Sequence, residues 1–198
     1  VGDERTLEFY SREARTYADY AAAEAGTRAL DRFAAMVRPG GRVLDFGCGS
    51  GWAADRLASL GFEVEAFDGS VGLAEEALRR YGLSVAVGRF EEFAAPSARF
   101  DGIWCAFSLL HDARDAMPGH LARLAEALVP GGAVYLGLKE GRGAARDRLG
   151  RLYVHYERGE IVRFLEEAGF FGAEVDAERT VGFDGDSAAA LHVFARRA

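Results

Sequence analysis

Cysteine is scarce in this chain: Cys48 and Cys105 are the only two in 198 residues, and neither sits in a CxxC pair. A disulfide framework and a cysteine-built zinc site are therefore not expected, and a reducing cytoplasm is the expected setting. Positive charge is also in deficit. Lys and Arg total 24 against 31 Asp and Glu, so the formal net charge is -7. A general nucleic-acid binder needs a basic face, so no nucleic-acid partner is expected. No apolar run approaches the roughly 20 residues that cross a bilayer, so no membrane partner is expected either. The first stretch, VGDERTLEFYSREAR, is charged and lacks the apolar centre of a signal peptide. The four histidines show no metal-ligand spacing, so no metal is expected.

What is present is regular alternation. The length suits one domain over residues 1–198. Residues near 12–37 read as a helix, with Leu30, Phe33, Ala34 and Val37 at helical spacing, stopped by Pro39-Gly40-Gly41. RVLDF reads as a strand, 51–60 as a helix, EVEAF as a strand, and Ser70 caps a helix running to Tyr81. LSVAVG and FDGIWCAFS are further strands. Leu121, Leu124, Ala125 and Leu128 stripe a helix that Pro130-Gly131-Gly132 ends, and AVYLGLK is a fifth strand. Ile161, Phe164, Leu165 and Ala168 stripe a last helix. Two late strands near 171–181 and 190–196 are joined by the turn-like FDGDS, which predicts an antiparallel hairpin at the sheet edge. Strand–helix alternation predicts a mostly parallel sheet covered on both faces.

VLDFGCGSG, residues 43–51, places a glycine loop between the first strand and its helix. That is a ligand position in an open α/β sheet. A P-loop is excluded because no Gly-Lys-Ser/Thr follows. The dinucleotide fingerprint breaks at Trp52. Asp45 stands two residues ahead of Gly47, and an acid there opposes a pyrophosphate and suits a ligand with positive charge. Gly47, Gly49 and Gly51 allow close backbone approach. Asp68 closes the second strand about 20 residues on, the spacing of an acid that bonds a ribose diol.

VLDFGCGSG, VEAFDGS, FDGIWCAFSLLH and LVPGGAVYLGLKEG, in this order, resemble the motifs of class I S-adenosylmethionine-dependent methyltransferases over residues 40–140. SLLH and YLGLKEG look nearest to the small tellurite-resistance-type enzymes. The resemblance implies a Rossmann-like three-layer α/β sandwich with a seven-stranded, mostly parallel sheet whose last strand is inserted antiparallel. It implies S-adenosylmethionine as cofactor and S-adenosylhomocysteine as product. By the same resemblance, Gly47, Cys48, Gly49 and Gly51 form the loop around the cofactor's methionine part. Asp45 supports that loop and the amino group, and Asp68 binds the ribose. Gly69 and Ser70 flank the adenine. The usual Gly-Asp after the third strand is Gly88-Arg89 here, leaving Phe90 and Glu91 as candidate adenine contacts. Cys105 and Ala106 lie along the cofactor where the fourth strand ends. An N-terminal helical cap over 1–38 is expected to fold across the site and bring Tyr10 and Tyr17 to the sulfonium, where an aromatic face contributes roughly 0.5–2 kcal/mol.

Several of these residues also have a plainer explanation. Cys48 and Cys105 suit buried packing, as does Trp52, and Tyr10 and Tyr17 suit a helix face. His120 and His192 read as surface or structural residues. His111, just past the fourth strand, is the candidate substrate-facing residue and general base. An insert at 140–158, with Lys139 at its edge, gathers Lys139, Arg142, Arg146, Arg148, Arg151 and Arg158 with Tyr153, His155 and Tyr156. As a lid it would draw in an anionic small-molecule substrate, with Lys139, Arg142 and Tyr153 in contact; as a solvated helix it would not. Two other functions remain open at this level: a non-catalytic cofactor-binding protein and a nicotinamide-dependent oxidoreductase. Oligomeric state is not legible.

Overall fold

The computed structural model describes residues 3–23 and 27–198. It opens with helices α1 (Glu4–Arg12), α2 (Ala14–Ala23) and α3 (Arg28–Met36). The single helix expected over 12–37 is thus divided, and residues 24–26 of it lie outside the described residues. α1 falls within the helical cap expected over 1–38, but it was not foreseen as a separate helix. Asp3 caps it by accepting from the Thr6 N–H at 2.9 Å, and Phe9 and Tyr10 form its buried side. Its apolar face covers little more than two turns, too short for periodicity to reveal.

Strands β1 (Arg42–Phe46), β2 (Glu63–Asp68), β3 (Val85–Val87), β4 (Phe100–Ala106) and β5 (Leu128–Glu140) form a parallel sheet in the order β3-β2-β1-β4-β5. Helices α4 (Trp52–Ser59), α5 (Val71–Tyr81) and α6 (Met117–Ala127) connect them. After α7 (Arg158–Glu167), β8 (Phe170–Val181) and β9 (Ser187–Arg197) make the expected hairpin. β9 lies antiparallel against β5, with β8 outside it. Those seven strands match the predicted sheet.

Alternation along the central strands divides the core in two. Leu44, Ile103, Val134 and Val193 face α6 and α7. Val43, Trp104, Tyr135 and Phe194 face α3 and α4. Period-two side chains on buried strands require helices on both faces, and so a three-layer sandwich.

The insert is neither a helix nor a loose lid. β6 (Ala144–Arg146) and β7 (Leu152–Tyr156) pair antiparallel, and β7 continues the sheet in parallel from the end of β5, matching Lys139 with His155. The sheet therefore has nine strands among the described residues. LYVHY carries the β-forming aromatic and branched residues, but its short length and flanking Gly and Arg mask the pattern.

α3 packs on β4 through a glycine. A Cβ at Gly102 would stand 2.6 Å from Val37 Cγ2 and 2.8 Å from Phe33 Cζ. Gly102→Ala is expected to lower unfolding stability by about 1–3 kcal/mol, as overpacking does. An unchanged denaturation midpoint would show that α3 is free to move away.

Candidate active site

The carboxyl ends of β1, β2 and β4, with the segment after β3, surround a cavity enclosing about 640 Å³ of empty space, part of it open to solvent. Crevices at this end of a parallel sheet are where α/β folds bind ligands. The floor is Gly47, Gly49, Asp68 and Gly69, one wall is Phe90, and another is Ala106, Phe107 and Ser108. α1 is the roof through Leu7 and Tyr10, joined by Tyr17 from α2, and His111 closes the far side.

The glycine loop is pinned from below. Gly47 and Cys48 both donate their N–H to the Phe67 carbonyl, at 2.8 and 3.1 Å. At Gly47 (φ +78°) a Cβ would fall 2.2 Å from Ser108 Cβ, so the close approach made there is to the protein itself. Gly49 differs. Its φ is +55°, and a Cβ would meet nothing nearer than the Tyr17 ring at 3.9 Å, leaving bare backbone toward the cavity. Gly51 lies outside the cavity, against α5.

Asp68 lines the cavity and ties the loop to β2. Its Oδ2 accepts from Gly49 N–H at 2.7 Å and its Oδ1 from Ser70 N–H at 2.8 Å. Each oxygen keeps a further lone pair for a ligand hydroxyl. Burial raises its pKa, and the backbone amides oppose that rise. Asp45 does not line the cavity, which corrects the expectation that it meets the ligand's amino group. It is buried beneath the loop and takes the Ala54 N–H at the start of α4. Burial, and then the nearby Asp68 charge, push its carboxyl up to about 8. The negative charge facing a ligand therefore belongs to Asp68.

Other expected contacts also lie behind the cavity wall. Cys48 and Cys105 are buried, the latter with its thiol 3.1 Å from Ser108 Oγ. Ser70 caps α5 through Leu73 N–H and meets Ser11 Oγ at 2.9 Å. Glu91 sits in a short 3-10 turn, Phe90–Glu92, of which only Phe90 reaches the cavity. Trp52 packs beside α3, His192 bonds the Tyr135 hydroxyl, and His120 pairs with Asp112 at 2.7 Å.

His111 is in place but engaged. Its Nδ1 faces the Leu152 carbonyl at 2.6 Å and must donate to it, so Nε2 accepts from the Tyr10 hydroxyl at 3.1 Å. Burial lowers its pKa to about 4, leaving the ring neutral at physiological pH. Tyr10 in turn accepts from Arg151 Nη1 at 3.0 Å, and Asp147 holds Arg151 at 2.6 Å. Tyr153 stacks edge-on to His111, with ring centroids 4.6 Å apart, and carries Lys139 Nζ over its own ring at 3.6 Å. Lys139 and Tyr153 thus stand behind His111 and do not line the cavity. Arg142 is remote: it is exposed and pairs with Glu157 at 2.8 Å.

The arginine cluster is therefore not an open electropositive rim. Arg146 forks onto Asp3 at 2.7 and 2.8 Å, Arg158 meets Glu140 at 2.9 Å, and Arg148 donates to the Asp184 carbonyl. Leu152 N–H donates to Thr6 Oγ1 at 2.9 Å. The Arg146–Asp3 and Leu152–Thr6 contacts tie the insert to α1 and its cap.

Sequence reasoning missed Leu7, Phe107 and Ser108, and it placed Arg151 only in a cationic cluster, not against Tyr10. Phe107 carried one signal, its position just past β4, but its strained φ of +54° shows only in three dimensions. Leu7 and Arg151 meet the site through contacts distant in sequence.

Residues 43–132 match the family model described as a methyltransferase domain. A ubiquinone biosynthesis O-methyltransferase of Xanthomonas campestris pv. campestris is 38% identical over 117 residues, covering 54% of this chain and 47% of that protein. The chain thus spans about half the length of the curated relatives it matches. Among solved structures, a Burkholderia thailandensis 1,6-didemethyltoxoflavin-N1-methyltransferase, with bound 1,6-didemethyltoxoflavin and S-adenosylhomocysteine, superposes with a TM-score of 0.78 at 25% identity, covering 98% of this chain and 88% of that one. A TehB-like SAM-dependent methyltransferase of Corynebacterium glutamicum shares the fold, with a TM-score of 0.69 at 21% identity over 96% of this chain and 98% of that one.

The Asp45 environment yields a pH dependence. A carboxyl that ionises near 3.8 in the unfolded chain and near 8 when folded favours the folded state fully below pH 3.8, and loses that contribution as pH rises through 8. Asp45→Asn, neutral at every pH, is expected to flatten this decline, which amounts to roughly 1.4 kcal/mol per pH unit where the two states differ by one proton. Equilibrium unfolding at pH 5 and pH 8 checks it. Equal pH slopes in variant and parent would show an ionised Asp45.

Proposed function

We propose that this chain, a member of the class I S-adenosylmethionine-dependent methyltransferases, moves the methyl group of S-adenosylmethionine to a small-molecule nucleophile by in-line displacement and releases S-adenosylhomocysteine. One observation carries the reading: Asp68, with lone pairs to spare, and the bare backbone of Gly49 face a single cavity under the Tyr10 and Tyr17 rings. These residues fit the cofactor. Asp68 would take the ribose diol, the glycine loop the methionine part, and the aromatic roof the positive sulfur. When bound, the cofactor supplies a methyl group already activated by its sulfonium. The protein's own part is to orient the acceptor, exclude water and accept a proton where the acceptor carries one. α1 excludes water, as Leu7 and Tyr10 cover the cavity. His111 is the proton acceptor at Nε2, once Tyr10 releases it.

The acceptor we infer is small and anionic or ionisable. Support comes from Lys139, whose ammonium lies over the Tyr153 ring, while the arginines around it are spent on Asp3, Asp147, Glu140 and Glu157. Lys139 does not reach the cavity, so its charge would act on an acceptor anion from behind His111 and not by contact. The two buried, unbridged cysteines agree with a reaction in the reducing cytoplasm.

Calorimetry is the first test. Asp68→Ala is expected to weaken S-adenosylmethionine binding by about 1.5–3 kcal/mol, the scale of hydrogen bonds to a charged group. NAD should give no heat. Unchanged cofactor affinity in a folded variant would remove Asp68 from the site.

Turnover on a panel of small anions, phenols and thiols is the second. With the best anionic acceptor, Lys139→Met is expected to raise KM several-fold and flatten the fall of kcat/KM with salt, since the Debye length is only about 8–10 Å. Arg142→Gln should change neither. A neutral preferred acceptor, unaffected by Lys139→Met, would end the anionic reading.

A further inference from the structure

The Tyr10 hydroxyl occupies a seat that the rest of the protein builds without it. Arg151 Nη1 donates to that oxygen at 3.0 Å, and His111 Nε2 accepts from it at 3.1 Å. Neither partner depends on Tyr10 for its position. Arg151 is held by Asp147, with Nε 2.8 Å from Oδ2. His111 is fixed by the Leu152 carbonyl on its opposite nitrogen. A strong donor and a lone-pair acceptor thus converge on one point. A hydroxyl satisfies both. A carboxylate has no proton for Nε2, and an ammonium has no lone pair for Arg151. The surroundings suit an aromatic ring: Tyr17 is edge-on to the Tyr10 ring at 4.9 Å, and Phe9 at 5.6 Å.

We propose that the seat between Arg151 and His111 is the acceptor-hydroxyl site, that the methyl acceptor is a phenol or a comparable hydroxylated aromatic ring, and that Tyr10 is the protein's own occupant of that site until the acceptor displaces it. The proposal rests on the methyl-transfer reading above. α1, which carries Tyr10, is held to the insert by side-chain contacts: the Arg146 fork on Asp3, Thr6 with Leu152, and Arg151 against the Phe9 and Tyr10 rings, all of which the acceptor must exchange. Lifting α1 exposes the seat intact. The acceptor's O–H then donates to Nε2, and its proton passes there, giving a phenolate and an imidazolium. The phenolate oxygen keeps the electron pair and lies between two cations, the imidazolium and the Arg151 guanidinium. Arg151 stabilises the phenolate directly, while its own charge joins burial in resisting a proton on the imidazole, so the phenolate is the partner that holds the imidazolium. The other titratable groups facing the seat are Asp147 from the loop before β7, Tyr153 from β7, Lys139 from β5 and Tyr17 from α2.

The test uses 4-nitrophenol, whose phenolate is read by its absorbance, on the full chain saturated with S-adenosylhomocysteine. Bound 4-nitrophenol is expected to ionise at least one pH unit below the free probe. 4-Nitroanisole, which lacks the hydroxyl, should bind at least 10-fold more weakly. Tyr10→Phe, which empties the seat of its internal hydroxyl, should bind the probe several-fold more tightly than the parent. Arg151→Gln should return the probe's ionisation to its free value; because Arg151 is buried, His111→Gln provides a second variant, expected to lose the preference for phenol over anisole. Equal affinity for the two probes, an unshifted ionisation, weaker binding by Tyr10→Phe, or no probe binding to either protein would overturn the proposal. Calorimetry with S-adenosylhomocysteine on the same samples separates the two readings. Cofactor binding without phenol selectivity overturns this inference alone, whereas absence of cofactor binding overturns the methyl-transfer reading beneath it.

Discussion

The last two residues of β2 hold the site together. The Phe67 carbonyl takes two amides from the glycine loop, and the Asp68 carboxylate takes the Gly49 and Ser70 amides. A loop with left-handed residues at Gly47 and Gly49 cannot satisfy its own N–H groups as a helix or strand would. The neighbouring strand supplies the acceptors instead. Buried carboxylates are costly unless hydrogen-bonded, so Asp68 is stabilised by the same amides it organises. The end of β1, the start of α4 and the cap of α5 are all positioned by this junction, and the cavity forms above it.

A second junction covers that cavity. Net acidity had made the basic insert look like a rim for an anion. In the fold its arginines are engaged with acidic partners, and Asp3 and Asp147 meet two of them closely beside α1, while Arg142 stays exposed. The Arg146 fork draws Asp3 down to about 2, as expected for a carboxylate with a guanidinium partner. The partly exposed Arg146–Asp3 pair adds little stability, unlike the buried Arg151–Asp147 pair, whose separation would be costly. Their role here is geometric, because they fix where α1 lies across the site. Through Tyr10, that same brace reaches His111, so roof, insert and candidate base form one connected unit.

Phe107 illustrates how the wall was made. It adopts a left-handed conformation that a bulky side chain avoids, donates its N–H to the Gly137 carbonyl at 2.9 Å, and packs its ring where Gly137 lacks a side chain. This turns the chain sharply out of β4 and sends Ser108 under Gly47 and His111 toward the roof. Strain of this kind clusters at binding sites because the surrounding structure must impose it.

The alternating strands and helices, the glycine loop, Asp68 and the edge hairpin were all determined by the sequence itself. Each is a local matter: periodicity, turn chemistry and spacing within a single strand–loop–helix unit suffice to specify them. Those signals also located His111 just beyond β4. Tertiary structure alone decided which of the marked residues face the cavity. Asp45, Cys48, Ser70 and Cys105 sit one residue or one layer away from it, and a strand's alternation or a cap's hydrogen bond settles that difference only once neighbours are in place. It also decided that the expected N-terminal cap is divided into separate helices, that the insert is two strands, and that Arg151 reaches Tyr10 across 141 positions of sequence. Contacts between segments so far apart leave no periodic trace in either segment, because the energy that selects them arises only when folding brings them together.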